Sequence, residues 1–203
     1  MKSFFKLVSS AFLGILLFAN ITAFAQEENS AAVQIIHNAV DPVLESVDIY
    51  LNGDVLLEDF GFREATEFLS VPSNTALAIV ITPAGASIND GLIFNFDDGL
   101  PTDARVALVA NGVLADDEFS ANPDGRNINA DLFVVADLEE TASADDEVLL
   151  TVFHGATDAP SVDIAARDVG VLIPNAAYGD SAACSCIHAR YSCRRYQHNC
   201  CSI

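Results

Sequence analysis

Beyond Ala32 the apolar residues fall in short runs separated by turn residues, and no stretch sustains a helical period. Val33 to His37 is apolar and β-branched. Val47, Ile49 and Leu51 alternate with Asp48 and Tyr50, the period of a half-buried strand, and Asn52-Gly53 then supplies the strongest short hairpin signal. Val55 to Leu57 reads as the return strand, and Thr66 to Val71 runs into a Pro72-Ser73-Asn74 turn. Leu77 to Ile81 is apolar throughout, as expected of a central strand covered on both faces. Leu92 to Phe96 ends at Asp97-Asp98-Gly99, Arg105 to Ala110 ends at Asn111-Gly112, and Leu132 to Ala136 follows a longer polar loop, Asp116 to Asn129.

Short strands at this spacing, rich in Val, Ile and Phe, predict an all-β domain over residues 26–138: an antiparallel immunoglobulin-like or Greek-key β-sandwich. Alternating strands mixed with solidly apolar ones suit two sheets packed face to face, with a small closed barrel as the rival. The region has neither Cys nor Trp, which excludes a disulfide-pinned antibody-type domain.

Residues 139–147 are small, polar and acidic, the chemistry of a linker. After them the pattern restarts. Leu150-Thr151-Val152-Phe153-His154-Gly155-Ala156-Thr157-Asp158 parallels Gln34-Ile35-Ile36-His37-Asn38-Ala39-Val40-Asp41, and Ser161-Val162-Asp163-Ile164 parallels Ser46-Val47-Asp48-Ile49. The first copy carries two extra residues between these blocks, and Phe60-Gly61-Phe62 is matched at a similar distance by Ala177-Tyr178-Gly179. Such self-similarity predicts a tandem domain whose second copy covers only residues 148–180.

From Ser181 the composition changes: Cys184, Cys186, Cys193, Cys200 and Cys201 all fall in 181–203, which holds no acidic residue. By analogy with Thr66 to Pro72, another strand ending in a Pro turn belongs there. The tail is read as the product of a frameshift. A disulfide knot and a zinc site are the alternatives, the first left with an odd thiol and the second lacking standard ligand spacing.

The other end of the chain has its own signature. Lys2 and Lys6, the apolar run Leu7 to Ala19 and Ala23-Phe24-Ala25 make a secretory signal peptide over residues 1–25. Asn20 and Thr22 break the run too early for a membrane span. All 29 acidic residues lie between Glu27 and Asp180, where the only bases are Arg63, Arg105, Arg126 and Arg167. A surface so acidic repels phosphate backbones, which excludes nucleic acid as a partner, and it keeps an exported protein soluble.

His37-Asn38-Ala39, Asp41-Pro42, Val47-Asp48-Ile49-Tyr50 and Asn52-Gly53, with Phe68-Leu69-Ser70-Val71-Pro72 further on, resemble the domain of unknown function (DUF) 4397 family. His154-Gly155-Ala156-Thr157-Asp158-Ala159-Pro160 with Val162-Asp163-Ile164 is the closer match; the first copy departs at Asp41-Pro42-Val43-Leu44, where its turn is longer. The resemblance implies an extracellular or envelope β-sandwich, often in tandem, and carries over no catalytic or binding residue.

Two constellations could still do chemistry. His37 with Asp41 and Asp48, repeated as His154, Asp158 and Asp163, could supply a His–carboxylate general base, making the protein a secreted hydrolase. The plainer reading makes the Asp residues caps for backbone N–H groups at a turn. Asp124, Asn127, Asn129 and Asp131 could offer oxygens to Ca²⁺ in a surface-layer component, although Arg126 interrupts the run and no closing Glu follows. No cofactor is expected. The sequence therefore predicts a non-catalytic exported module for adhesion or envelope scaffolding, with protein or glycan partners at the cell surface.

Overall fold

The computed structural model describes residues 29–142, 144–145, 147–167, 169–187 and 193–196. The signal peptide expected over 1–25 and the cysteines Cys200 and Cys201 lie outside the described residues. The chain is all-β, with no α-helix among the described residues and none long and apolar enough to cross a membrane.

All eight strands expected in the first unit form: β1 (Ser30–His37), β2 (Ser46–Leu51), β3 (Asp54–Gly61), β4 (Leu69–Pro72), β5 (Leu77–Pro83), β6 (Leu92–Phe96), β7 (Arg105–Asn111) and β8 (Asp131–Val135). They make two four-stranded sheets, ordered β4-β1-β7-β8 and β3-β2-β5-β6. Alternation fixes which side chains meet between them. From β1, Ala31, Val33 and Ile35 turn inward, to meet Val47 and Ile49 of β2, Ile79 and Ile81 of β5 and Leu108 of β7 in one buried cluster. Asn52 and Gly53 both take positive φ, 52° and 92°, which is the twist a two-residue hairpin requires between β2 and β3. Between the named strands the pairings are antiparallel with one exception. β1 runs parallel to β7, with Ile35 opposite Leu108, because the chain crosses to the other sheet and back before β7 joins β1.

The acidic stretch after β8 is tied down: Leu138 N–H donates to the Arg105 carbonyl, and Arg105 pairs with Glu140 at 2.9 Å. Then come β9 (Glu147–Phe153), β10 (Val162–Ala166), β11 (Gly170–Ala176), β12 (Ser181–Ile187) and β13 (Cys193–Tyr196). β10 pairs with β11, and β12 lies between β9 and β13. The first residues of the Cys-rich tail thus continue as a strand along β9, in the place β4 holds along β1. Val152 and Ile164 are half-buried against Leu172, Ile173, Ala176 and Cys184 in a small second cluster, while Val162 stays 36 % exposed.

Candidate functional site

His37 ends β1 with 1 % of its surface exposed. Its Nε2 lies 2.6 Å from the Leu44 carbonyl, and its Nδ1 faces the Ala39 N–H at 3.4 Å. The neutral imidazole protonated on Nε2 satisfies both contacts. A second proton on Nδ1 would confront an N–H, and burial independently holds the ring below the usual imidazole pKa, against the opposite pull of the Leu44 carbonyl and the Glu64 charge. The backbone of His37 is used as well, accepting from Arg63 N–H and donating to the Glu64 carbonyl. One residue therefore fastens both the turn after β1 and the turn after β3.

Neither carboxylate reaches this ring. Asp41 Oδ1 caps the short 3₁₀ turn Pro42–Leu44 by accepting from Val43 N–H, and its Oδ2 accepts from Leu114 N–H at 2.8 Å. Asp48 accepts from Asp59 N–H and from Gly85 N–H. Both acids are buried, and each spends its two oxygens on backbone donors. His37 forms no dyad with Asp41 or Asp48, because each of the three answers an N–H or C=O that a turn would otherwise bury unpaired.

The same bonds recur in the later strands. His154 Nε2 meets the Pro160 carbonyl at 3.1 Å, and Ala156 N–H faces its Nδ1 at 3.4 Å. His154 N–H donates to the Asp180 carbonyl, and its own carbonyl accepts from Gly179 N–H. Asp163 accepts from Asn175 N–H as Asp48 does from Asp59 N–H, with Asn175 and Asp59 both left-handed at φ 51° and 53°. Ala177 N–H donates to the Asp180 carboxylate as Gly61 N–H does to Glu64. These bonds align Gly61 with Ala177 and Phe62 with Tyr178, one residue away from the match of Phe60-Gly61-Phe62 to Ala177-Tyr178-Gly179 along the sequence.

The polar loop between β7 and β8 clasps the turn that follows β9. Asp124 Oδ2 accepts from both the N–H and the hydroxyl of Ser161, each at 2.6 Å, and these donors hold its pKa below the usual carboxylate value. Asn127 accepts from Asn129 N–H, and Asp131 from Leu132 N–H. The side chains of Asp124, Asn127 and Asp131 thus accept from three different backbone neighbours, with Asn129 serving Asn127 through its own N–H, and among the described residues there is no group of three or more His, Cys, Asp or Glu that could hold a metal. Asn122 points its Nδ2 at the carbonyls of Thr157 and Ala159, and Arg126 pairs with Asp180 at 3.5 Å.

Asn111 completes the clasp. It is 1 % exposed, accepts from Asn38 Nδ2 at 2.8 Å, and donates to the Gly155 carbonyl at 3.2 Å and the Tyr178 hydroxyl at 3.1 Å. A Cβ on Gly155 would fall on the Asn38 amide and within 2.9 Å of the Phe153 ring, so a larger residue there would have to displace these side chains. Tyr178 packs with Val113 and Ile128 and meets Phe133 edge-on at 5.9 Å, and Phe153 meets Phe133 at 5.2 Å. Burial raises the Tyr178 pKa above its ordinary value. In the sequence Asn111 reads as a turn residue, Asn122 as part of a polar loop and Tyr178 as a repeat position, and none of the three shows its role in the clasp. The available signals were the swap of Asn38 for Gly155 within the repeat and one long loop among short ones.

The family model described as domain of unknown function (DUF4397) matches residues 31–165. The chain belongs to the DUF4397 family. The DUF4397 match begins in β1 and ends in β10, so it takes in His37, the clasp loop and the His154 turn. Among curated proteins none matches the chain.

Proposed function

We propose that this DUF4397 protein is an exported, non-catalytic immunoglobulin-like β-sandwich of Greek-key type that serves adhesion or envelope and matrix scaffolding. Residues 147–187 open a second sandwich in this reading. The carrying observation is the use of His37, Asp41 and Asp48 as backbone caps, with every nitrogen and oxygen engaged by turns of the chain itself. A general base needs a nitrogen free to take a proton from substrate, and His37 has none. The recurrence of the same bonds around His154 supports a module built for repetition, and the clasp between the two units supports a stiff tandem array rather than beads on a string.

The surface fits that role. Acidic side chains keep such an array apart from anionic lipid and nucleic acid while leaving protein and glycan partners open. The test compares retention of the purified chain on immobilised matrix proteins and glycans with turnover of a panel of chromogenic esters and glycosides. Binding without turnover is expected, and His37→Gln should lower the melting temperature without creating or removing an activity. Ester or glycoside hydrolysis that disappears with His37→Gln would overturn the proposal.

A further inference from the structure

The cysteines of the later sheet fall into a definite register. β12 lies between β9 and β13. Along β12 and β13, Ala183 stands opposite Tyr196, Cys184 opposite Arg195, Ser185 opposite Arg194 and Cys186 opposite Cys193. Two cysteines thus occupy one rung of an antiparallel ladder. Cys184 sits differently, facing Arg195 across the ladder and packing with Leu172, Ile173 and Ala176 in the second cluster.

The kind of rung follows from the other side of β12. His154 N–H donates to the Asp180 carbonyl, which makes those two residues a hydrogen-bonded pair at the end of the β9–β12 ladder. Alternation then turns the main-chain groups of Ala182, Cys184 and Cys186 toward their β9 partners Val152, Leu150 and Val148. Cys186 therefore has no main-chain bond to give Cys193, and the two form a non-hydrogen-bonded pair. In such a pair the Cα atoms stand about 4.5 Å apart, inside the window of roughly 4.4–6.8 Å that a disulfide spans. From Cys184 to Cys193 the separation is diagonal, about 7–8 Å, beyond what a bridge reaches without moving the backbone.

We propose that Cys186 and Cys193 are a cross-strand disulfide site, oxidised by exchange with a glutathione-type or protein disulfide. The thiolate of one cysteine attacks the oxidant's S–S bond and expels one thiolate; the thiolate of the other attacks the resulting mixed disulfide and expels the second. Two protein thiols and one disulfide become the bridge and two thiols, the protons passing to the expelled thiolates. The bridge pins β13 to β12 and so covers an edge that would otherwise offer main-chain groups to other chains. A bridge there holds however the Cys-rich tail arose. In life the oxidising surroundings come with export, which rests on the function proposed above.

The test equilibrates the full chain with reduced and oxidised glutathione, alkylates the remaining thiols, and maps the bridges by mass spectrometry after non-reducing trypsin digestion. Cleavage after Arg167, Arg190, Arg194 and Arg195 puts Cys184 and Cys186 on fragment 168–190, Cys193 on 191–194, and Cys200 and Cys201 on 196–203. Fragment 191–194 should be joined to 168–190 at least tenfold more often than to 196–203. Cys193 is equally far along the chain from Cys186 and Cys200, so in urea, where register is lost, that preference should shrink to within about twofold. Cys184→Ser should keep the link and Cys186→Ser should abolish it; the urea comparison needs no variant and stands even if a substitution disturbs the strands. Cys193 left alkylated, Cys193 joined mainly to 196–203, a link that survives Cys186→Ser, or a tenfold preference undiminished in urea would each overturn the proposal. Glutathione sets the redox state in the assay, so a missing link counts against the pairing and leaves export untouched.

Discussion

Replacing Asn111 with Ala should loosen the later strands from the first unit. Three hydrogen bonds end on this side chain, and two of them, to the Gly155 carbonyl and the Tyr178 hydroxyl, reach the later part of the chain. A hydrogen bond is worth about 1 kcal/mol net, and a buried partner left unpaired costs about 1–3 kcal/mol. Gly155 is only partly buried and can find water, whereas Tyr178 is 3 % exposed. The undocking equilibrium should therefore shift by about 2 kcal/mol, or roughly 30-fold. The direct reporter is the Ser161 amide, whose proton is held across the contact by Asp124. Its exchange, followed by NMR, should accelerate by about that factor, while amides of β1 and β7 in the first core accelerate less. An unchanged Ser161 rate alongside a lower global stability would refute the reasoning, because Asn111 would then act only within the first unit through Asn38.

Three further outcomes follow from individual side chains. Burial holds His37 below 6.5, so the unfolded chain binds the proton first; stability is complete above about pH 6.5 and declines as pH falls toward the lower folded value, a slope that urea melts should find weakened in His37→Gln. Thr82 is 0 % exposed and its hydroxyl has no partner among the described residues, so Thr82→Val should stabilise by about 1 kcal/mol, and a lower melting temperature would show that the hydroxyl is bonded after all. Because Asp124 is already occupied by Ser161, calcium or a chelator should leave the melting temperature unmoved.

The strands of the first unit were legible because their period and punctuation agree. Val47, Ile49 and Leu51 alternate, Asn52-Gly53 turns, and Leu77 to Ile81 is apolar because β5 sits between β2 and β6 with even Val80, outside the main cluster, buried. The parallel pairing of β1 with β7 was not legible, since a strand's own composition does not reveal its neighbour. Nor was the clasp. Asn122, Asp124 and Arg126 read as an ordinary polar loop, or as oxygen ligands, because their partners Thr157, Ser161 and Asp180 lie more than thirty residues away. The candidate dyad failed for a related reason. Spacing placed His37 near Asp41 in sequence, but the demands of buried backbone groups determined where each side chain turned.

Those demands also explain why the histidine persists through a turn of changed length. The first turn carries two residues more than the second between His and the Val-Asp-Ile strand. The ring nevertheless meets a carbonyl in both, Leu44 seven residues on and Pro160 six residues on. What is common to the two is the task of closing the strand end with one donor and one acceptor on a rigid ring, while the His backbone fixes the neighbouring turn. A Gln at either site could supply the donor but not the fixed geometry between its two polar atoms. His154→Gln should therefore unsettle the 154–161 turn that the clasp grips, and Ser161 amide exchange should quicken even though no clasp residue has changed. If Ser161 exchange holds steady in His154→Gln, the ring is a filler of space, and the resemblance of the two turns comes from the backbone alone.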